Sequence, residues 1–526
     1  MSSTKYTFQN INIVECVENS FEEFLKENQI CDLCLTNKIL EKWNFEDYLE
    51  KKNILPLNLD KESALISSIP NLKPKPNNSE LKLVKFLGMI QNVYENQLYI
   101  SAKFDGKNKK YLVNKYFENN NNVMKIEEDN AQGPRDSDIL SDRLRLEVVP
   151  LRGLNEYFDK EYNHEEYNQQ KIIVYDYSNQ YTKVNQVILV IGVAYEKDGL
   201  IVIHSWKIVD NYEQIKICDD YKLFPNINEQ KIELRDKLKK ILLKVLKNDE
   251  LAADYLLLFL FSQIFTKVGT KNVGTFPLNL ILDTNNDINR CNDIYTNILN
   301  IFKKICLKIQ DIKLTTDELN NNMYYPRFDS ETEELCPGKL QLSDGTFLLI
   351  DEINMNEGKL VEIGLKNLAS LKNLIDFQLL GYEYPYNKIE ISHDIEILVV
   401  THKSKSILYS PFLTLLPATT NNESNDADPL SENDFKFIFY YLNYIRYSSS
   451  YNDKFIINDE ISNSIQKDYI ANNPNFKADD FDLVLKLSRL YALSYGRNHM
   501  AYDDYEYVVY LEKQRQKRLE NYKTKK

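Results

Sequence analysis

The stretch Gly338-Lys-Leu-Gln-Leu-Ser-Asp-Gly345-Thr-Phe-Leu-Leu-Ile-Asp351-Glu352 constrains the fold more than any other part of the chain. Phe347 to Ile350 is an unbroken apolar run of strand length. Such a run suits a parallel strand covered on both faces rather than a half-exposed one. Two carboxylates follow it directly. Ligands of open α/β sheets bind beyond the carboxyl ends of the strands, which makes Asp351 and Glu352 candidate site residues. The plain alternative is a buried strand that ends in a solvated acidic turn.

The surrounding pattern predicts the rest of such a sheet. Leu234, Leu238, Ile241, Leu242, Val245 and Leu246 keep helical spacing, and Leu251 to Phe265 is apolar nearly all round, as in a buried helix. Phe276–Asp283 reads as a strand, then a polar turn, then a helix over Asn292–Ile309. Gly364–Ile375 is a further helix and Glu396–Thr401 a further buried strand. Strands alternating with helices predict an α/β sheet over residues 226–417.

The flanks read differently. Residues 1–78 predict helices followed by a Pro-rich connector. From 79 to 212, short runs (Leu83–Asn92, Gln97–Lys103, Lys110–Asn114, Leu144–Leu151, Lys171–Tyr177, Gln186–Ala194 and Leu200–Ile208) predict strands of a small barrel, of OB type as first choice. Residues 117–143, polar with Gly133-Pro134, read as a mobile insertion. Residues 418–432 have linker composition, and 433–526 are helical, with a basic end from Lys513 to Lys526 that reads as a solvated tail. The fold class is therefore α/β multidomain.

A formal net charge of −13 argues against strong direct nucleic-acid binding, since phosphate neutralisation needs a basic surface. Protein partners suit the charge better. Cys31-Asp-Leu-Cys34 is a lone CxxC without a second pair, so no metal is expected. The apolar runs are too short for a membrane span and Met1 to Asn10 lacks a signal-peptide core, which predicts a soluble intracellular protein.

Acids like Asp351 and Glu352 hold magnesium and orient water in P-loop NTPases, where they stand in the Walker-B motif. That chemistry also needs a Gly-rich loop whose N–H groups cradle phosphate, and a Lys. After Asp283 the chain offers Thr284-Asn-Asn-Asp287-Ile-Asn-Arg290, with no glycine and no lysine. Gly269-Thr-Lys-Asn-Val-Gly274-Thr275 matches the glycine spacing but lies before the strand and lacks the Lys. The expectation is no catalytic residue and no cofactor. Asp351 and Glu352 are then vestigial, and Thr284, Asp287 and Arg290 form a degenerate phosphate loop.

Several stretches resemble the MCM complex-binding protein family: Lys85–Gln91, Leu251–Leu257, Gly338–Glu352, Leu368–Leu374 and the basic-ended C-terminal helix. Tyr444-Ile-Arg446-Tyr and Lys477–Leu487 are similar to the helical lid of the MCM helicase subunits, whose barrel, AAA+ core and lid occur in the same order. In the subunits an arginine senses ATP where Asp479 stands here, and a sensor asparagine where His402 stands. The resemblance implies a degenerate AAA+-like core and a nuclear, non-catalytic partner of MCM helicase subunits. It also implies roles in assembling, protecting or unloading MCM complexes and in sister-chromatid cohesion, with indirect chromatin association. Tyr444, Arg446, Tyr491, Tyr495 and Arg497 are candidate partner-binding residues. The rival readings are an unorthodox AAA+ ATPase and a single-stranded nucleic-acid-binding OB-fold protein.

Overall fold

The structure is a computed structural model. It describes residues 82–105, 110–113, 139–158, 171–177, 183–197, 200–224, 227, 229–268, 271–282, 287–331, 334–402, 406–408, 413–415, 431–448, 455–472 and 478–525. The helices expected over residues 11–56, the Pro-rich connector and the CxxC pair lie outside these residues. The chain packs as two compact units, Met1–Leu151 with His164–Tyr212, and Arg152–Asn163 with Glu213–Lys526.

The first unit is built on six strands: β1 (Lys82–Asp105), β2 (Lys110–Val113), β3 (Ile139–Pro150), β4 (Ile172–Asp176), β5 (Val187–Lys197) and β6 (Leu200–Asp210). They pair in the order β2-β1-β3-β4-β6-β5, and β5 pairs back onto β1. Five strands thus close a ring, in which β4 and β6 are parallel and every other pair is antiparallel. The inside is filled by every second residue, among them Phe86, Leu146, Val148, Ile172, Val174, Ile188, Val190 and Ile203. That is the period a pleated strand imposes. The two runs Leu83–Asn92 and Gln97–Lys103, expected as separate strands, form the single strand β1. The residues between them, Val93 to Asn96, stay in the strand: pairing with β3 continues past them and register shifts absorb the extra residues. β3 begins at Ile139, inside the stretch 117–143 expected as an insertion; residues 117–138 lie outside the described residues.

The second unit begins its helices with α1 (Tyr212–Lys222), α2 (Lys231–Val245) and α3 (Glu250–Leu260), followed by the hairpin β7 (Thr266–Val268) and β8 (Lys271–Val273). Then come β9 (Leu278–Leu282), α4 (Ile288–Ile305), β10 (Ile309–Lys313), α5 (Thr316–Asn321), β11 (Arg327–Asp329), β12 (Glu334–Cys336) and β13 (Thr346–Asp351). The chain continues through α6 (Glu362–Phe377), β14 (Leu379–Glu383), β15 (Lys388–Ser392), β16 (Ile395–His402) and β17 (Leu413–Leu415). It ends in α7 (Glu432–Tyr447), α8 (Asp459–Asn472), α9 (Ala478–Ser494) and α10 (Tyr502–Lys525). The main sheet is wholly parallel, in the order β10-β13-β16-β9-β17. Every residue of β9 and β13 is buried, as continuous apolar runs require in a sheet covered on both faces. A four-stranded sheet, β12-β11-β14-β15, is separate from it.

Several expectations are corrected. α3 stops at Leu260, not Phe265, because Phe261 closes it and the chain turns into the β7–β8 hairpin. α4 ends at Ile305, and Ile309, expected as its last residue, starts β10. The run Ile305-Cys-Leu-Lys-Ile309 hides the change of period. Ser431 and Glu432, read as the end of a linker, are the cap and first residue of α7, where Ser431 and Asp434 form a capping box. The basic end is not a free tail. Arg518 pairs with Asp249, the cap of α3, at 2.7 Å and Arg515 donates to the Thr414 carbonyl at 3.1 Å, so α10 is anchored to the start of α3 and to β17. Among the described residues, no helix is long and apolar enough to cross a membrane.

Candidate functional site

In the main sheet the strand β16 lies between β9 and β13, so three strand tips converge: the end of β9 at Leu282, Asp351 on β13 and His402 on β16. The first turn of α4 completes the crevice, because His402 Nδ1 lies 3.4 Å from Cys291 Sγ and 3.2 Å from the Leu282 carbonyl oxygen. Asn354 donates to the Asn292 side chain at 3.0 Å and ties the loop after β13 to the same turn. Thr284 and its neighbours 283–286 lie outside the described residues, and Asp287 and Arg290 are at the helix start.

Among the described residues, most groups that would meet a nucleotide are engaged by the chain itself, while Arg290 Nε and Glu352 Oε2 are buried without a hydrogen-bond partner. A helix N-terminus attracts anions through its unsatisfied N–H groups and its dipole. In α4 that role is taken by Asp287, the N-cap, whose carboxylate accepts from the Arg290 N–H at 3.2 Å. Arg290 thus takes part through its backbone. Asp351 accepts from the Ile353 N–H at 2.9 Å, which folds the loop after β13 back on the strand. Glu352 accepts from the Ile407 N–H at 2.6 Å and so holds the segment that follows β16. Both acids are about 95% buried. Burial pushes both carboxyls above their ordinary range, against the opposing pull of these N–H donors. The arrangement fixes loops. Among the described residues no group of three His, Cys, Asp or Glu could hold a metal ion.

The candidate partner-binding residues of the C-terminal helices fall in different settings. Arg446 is 2% exposed and lies inside the unit. It donates to the Leu260 and Ser262 carbonyls at 3.0 and 2.7 Å, pairs with buried Glu396 at 3.3 Å and covers the Phe347 ring. It therefore clasps α7 to β16 and the end of α3. Tyr444 is half-buried and stacks on Tyr221 with ring centres 3.7 Å apart. The Tyr491 and Tyr495 hydroxyls are 3.3 Å apart, and Arg235 lies over the Tyr495 ring at 3.8 Å. Arg497 holds Asp504 through two hydrogen bonds. Asp479, in the first turn of α9, is exposed.

Two features escaped sequence reasoning. A charge inside the apolar run of β16, Glu396, signalled a buried partner, but nothing in the sequence pointed to Arg446 fifty residues away. Asp287, expected only as part of a degenerate phosphate loop, stands at the spacing to Arg290 of an N-cap.

The family model described as "Mini-chromosome maintenance replisome factor" matches residues 57–187 and 200–519. Among curated proteins the chain is similar to "Mini-chromosome maintenance complex-binding protein" from Arabidopsis thaliana, 27% identical over 55% of this chain and 47% of the relative. The proteins of the same name from Drosophila melanogaster (28%, over 54% of this chain and 47% of the relative) and Homo sapiens (26%, over 60% and 48%) are similar as well. The chain spans about half the length of the curated relatives it matches.

Proposed function

The chain belongs to the mini-chromosome maintenance replisome factor family, and from that premise we propose that it is a non-catalytic binding partner of MCM helicase subunits. One observation carries the non-catalytic part. Among the described residues, the acids at the strand tips are taken up by the chain's own N–H groups, with Asp287 on the helix N-terminus and Asp351 and Glu352 on loop N–H groups. A phosphate would have to displace Asp287, and no lysine follows β9 to draw it there. The printed names of the relatives, which describe binding to the MCM complex, support the choice of partner.

The architecture proposed with this reading is an OB-type barrel followed by a degenerate AAA+-like core and a helical lid. Support for the barrel is its ring of five strands closed by one parallel pairing. Support for the core is the order of the parallel sheet, which sets the sensor-position strand β16 between β9 and the acid-ended β13. By the same reading the protein acts in the nucleus. There it assembles, protects or unloads MCM complexes, joins chromatin through them, and contributes to sister-chromatid cohesion.

Two measurements test the proposal. Titration with magnesium-ATP should give no saturable binding, and tight magnesium-dependent binding would restore the ATPase reading. Affinity capture of the full chain from nuclear extract should recover MCM subunits. Recovery of none, with the chain folded, would remove the partner assignment.

A further inference from the structure

Arg489, on α9, is 5% exposed, and its Nη1 and Nη2 are buried without a hydrogen-bond partner. Its guanidinium lies 3.7 Å from the ring centre of Phe265 and 5.0 Å from that of Phe455. Other buried cations of this unit have a carboxylate: Arg446 has Glu396 and Lys308 has Glu213 at 2.7 Å. Among the described residues Arg489 has none. Burial lowers its pKa to about 10, so it stays charged at neutral pH. Aromatic faces compensate a desolvated cation only in part, and an unpaired buried charge is strongly unfavourable.

Apolar side chains are exposed beside this cation. Phe265 and Val268 on the β7–β8 hairpin are 37% and 66% exposed, and Ile456 and Ile457, next to Phe455, are 62% and 40% exposed. Exposed apolar side chains around a buried, desolvated anchor are the anatomy of a binding hot spot. The hairpin that Phe265 leads into has three-residue strands whose ladder, among the described residues, is only with each other, and one side-chain bond, from Asn272 to the Phe377 carbonyl at 2.8 Å, ties it to α6; a hairpin of that size is marginal by itself. Its base is fixed by Gly274 at φ 123°, where a Cβ would stand 2.1 Å from the Gln263 carbonyl oxygen.

We propose that Arg489 is the floor of a docking pocket for a partner protein segment that carries an Asp or Glu between apolar side chains, admitted when the β7–β8 hairpin is displaced. The apolar rim favours such a segment over a phosphate polymer, which has no apolar side chains to cover it.

The test uses the full chain and two blocked five-residue peptides, with Glu or Gln at the centre between leucines. The Glu peptide should raise the melting temperature of the wild-type chain in a dose-dependent way and bind at least about tenfold more tightly than the Gln peptide. Arg489→Met, which keeps apolar volume, should melt about 2 °C higher than wild type and lose the preference for Glu. No shift with either peptide, equal shifts, or a Glu preference that persists in Arg489→Met would overturn the proposal. If that variant does not fold, Arg489→Lys decides. It keeps the charge without the guanidinium fork and should weaken Glu-peptide binding, and unchanged or tighter binding would overturn the proposal.

Discussion

Glu352 shows how a residue that could do chemistry comes to serve the fold. One of its oxygens accepts from the Ile407 N–H, and among the described residues the other, Oε2, is buried with no hydrogen bond of its own within normal distance. Because burial raises the carboxyl pKa above its ordinary 4.5, the folded chain holds the proton more tightly than the unfolded one. Stability then falls as pH rises through the window that begins near 4.5, by linkage. Glu352→Gln removes that penalty. It should match or exceed wild-type stability at pH 7, by up to about 2 kcal/mol, with the difference closing at acid pH. Melting curves between pH 4 and 8 check this (roughly the window in which a raised carboxyl titrates), and a difference that grows on acidification would contradict it. Capture of MCM subunits by Glu352→Gln and Asp351→Asn should equal wild type, because neither acid is offered to a partner.

Elements are joined here by buried charge as much as by apolar contact. The clasp between α7 and β16 rests on Arg446 and Glu396, with the Thr275 and Ser262 hydroxyls donating to the carboxylate at 2.9 and 3.0 Å. Removing one partner leaves a buried charge unpaired, so Arg446→Met should cost about 3–5 kcal/mol. Adding Glu396→Gln should recover most of that loss, and a denaturant double-mutant cycle would measure it. Additive losses would mean that the two side chains do not act as a pair. At the start of α4, Asp287→Ala should cost about 1 kcal/mol through the lost cap. It should not create ATP binding in a magnesium-ATP titration, since no lysine replaces it.

The second unit is one folding body from α1 to α10, and this alters what a truncation can test. Tyr255 on α3 donates to Glu512 on α10 at 2.5 Å, Arg518 reaches back to Asp249, and Arg515 donates to the Thr414 carbonyl of β17 at 3.1 Å. A chain cut after Pro417 loses all three and the Arg446 clasp. It should lose the cooperative calorimetric transition of this unit and become sensitive to limited proteolysis. A cut chain that melts cooperatively near the wild-type temperature would show the terminal helices to be an independent module. Partner capture is therefore better examined with point variants of half-exposed residues such as Tyr444 and Arg497 than with deletion.

The sequence by itself determined the elements whose period is unambiguous. The apolar run before Asp351 could only be a buried strand, and the 234–246 spacing could only be a helix. It also determined that the chain lacks a glycine–lysine loop after β9, because absence of a residue type needs no geometry. Element boundaries were less legible where one period runs into the next, as at Ile305–Ile309, or where pairing overrides polar residues, as at Asn92–Asn96. Only the tertiary structure decided what the charged side chains do. Arg446 reads as a candidate partner-binding residue in sequence and is a buried clasp, and the basic end reads as a tail and is tied to α3 and β17. The reason is physical: a charge becomes structural or functional through its partner and its distance from water, and both are set by residues remote in the chain.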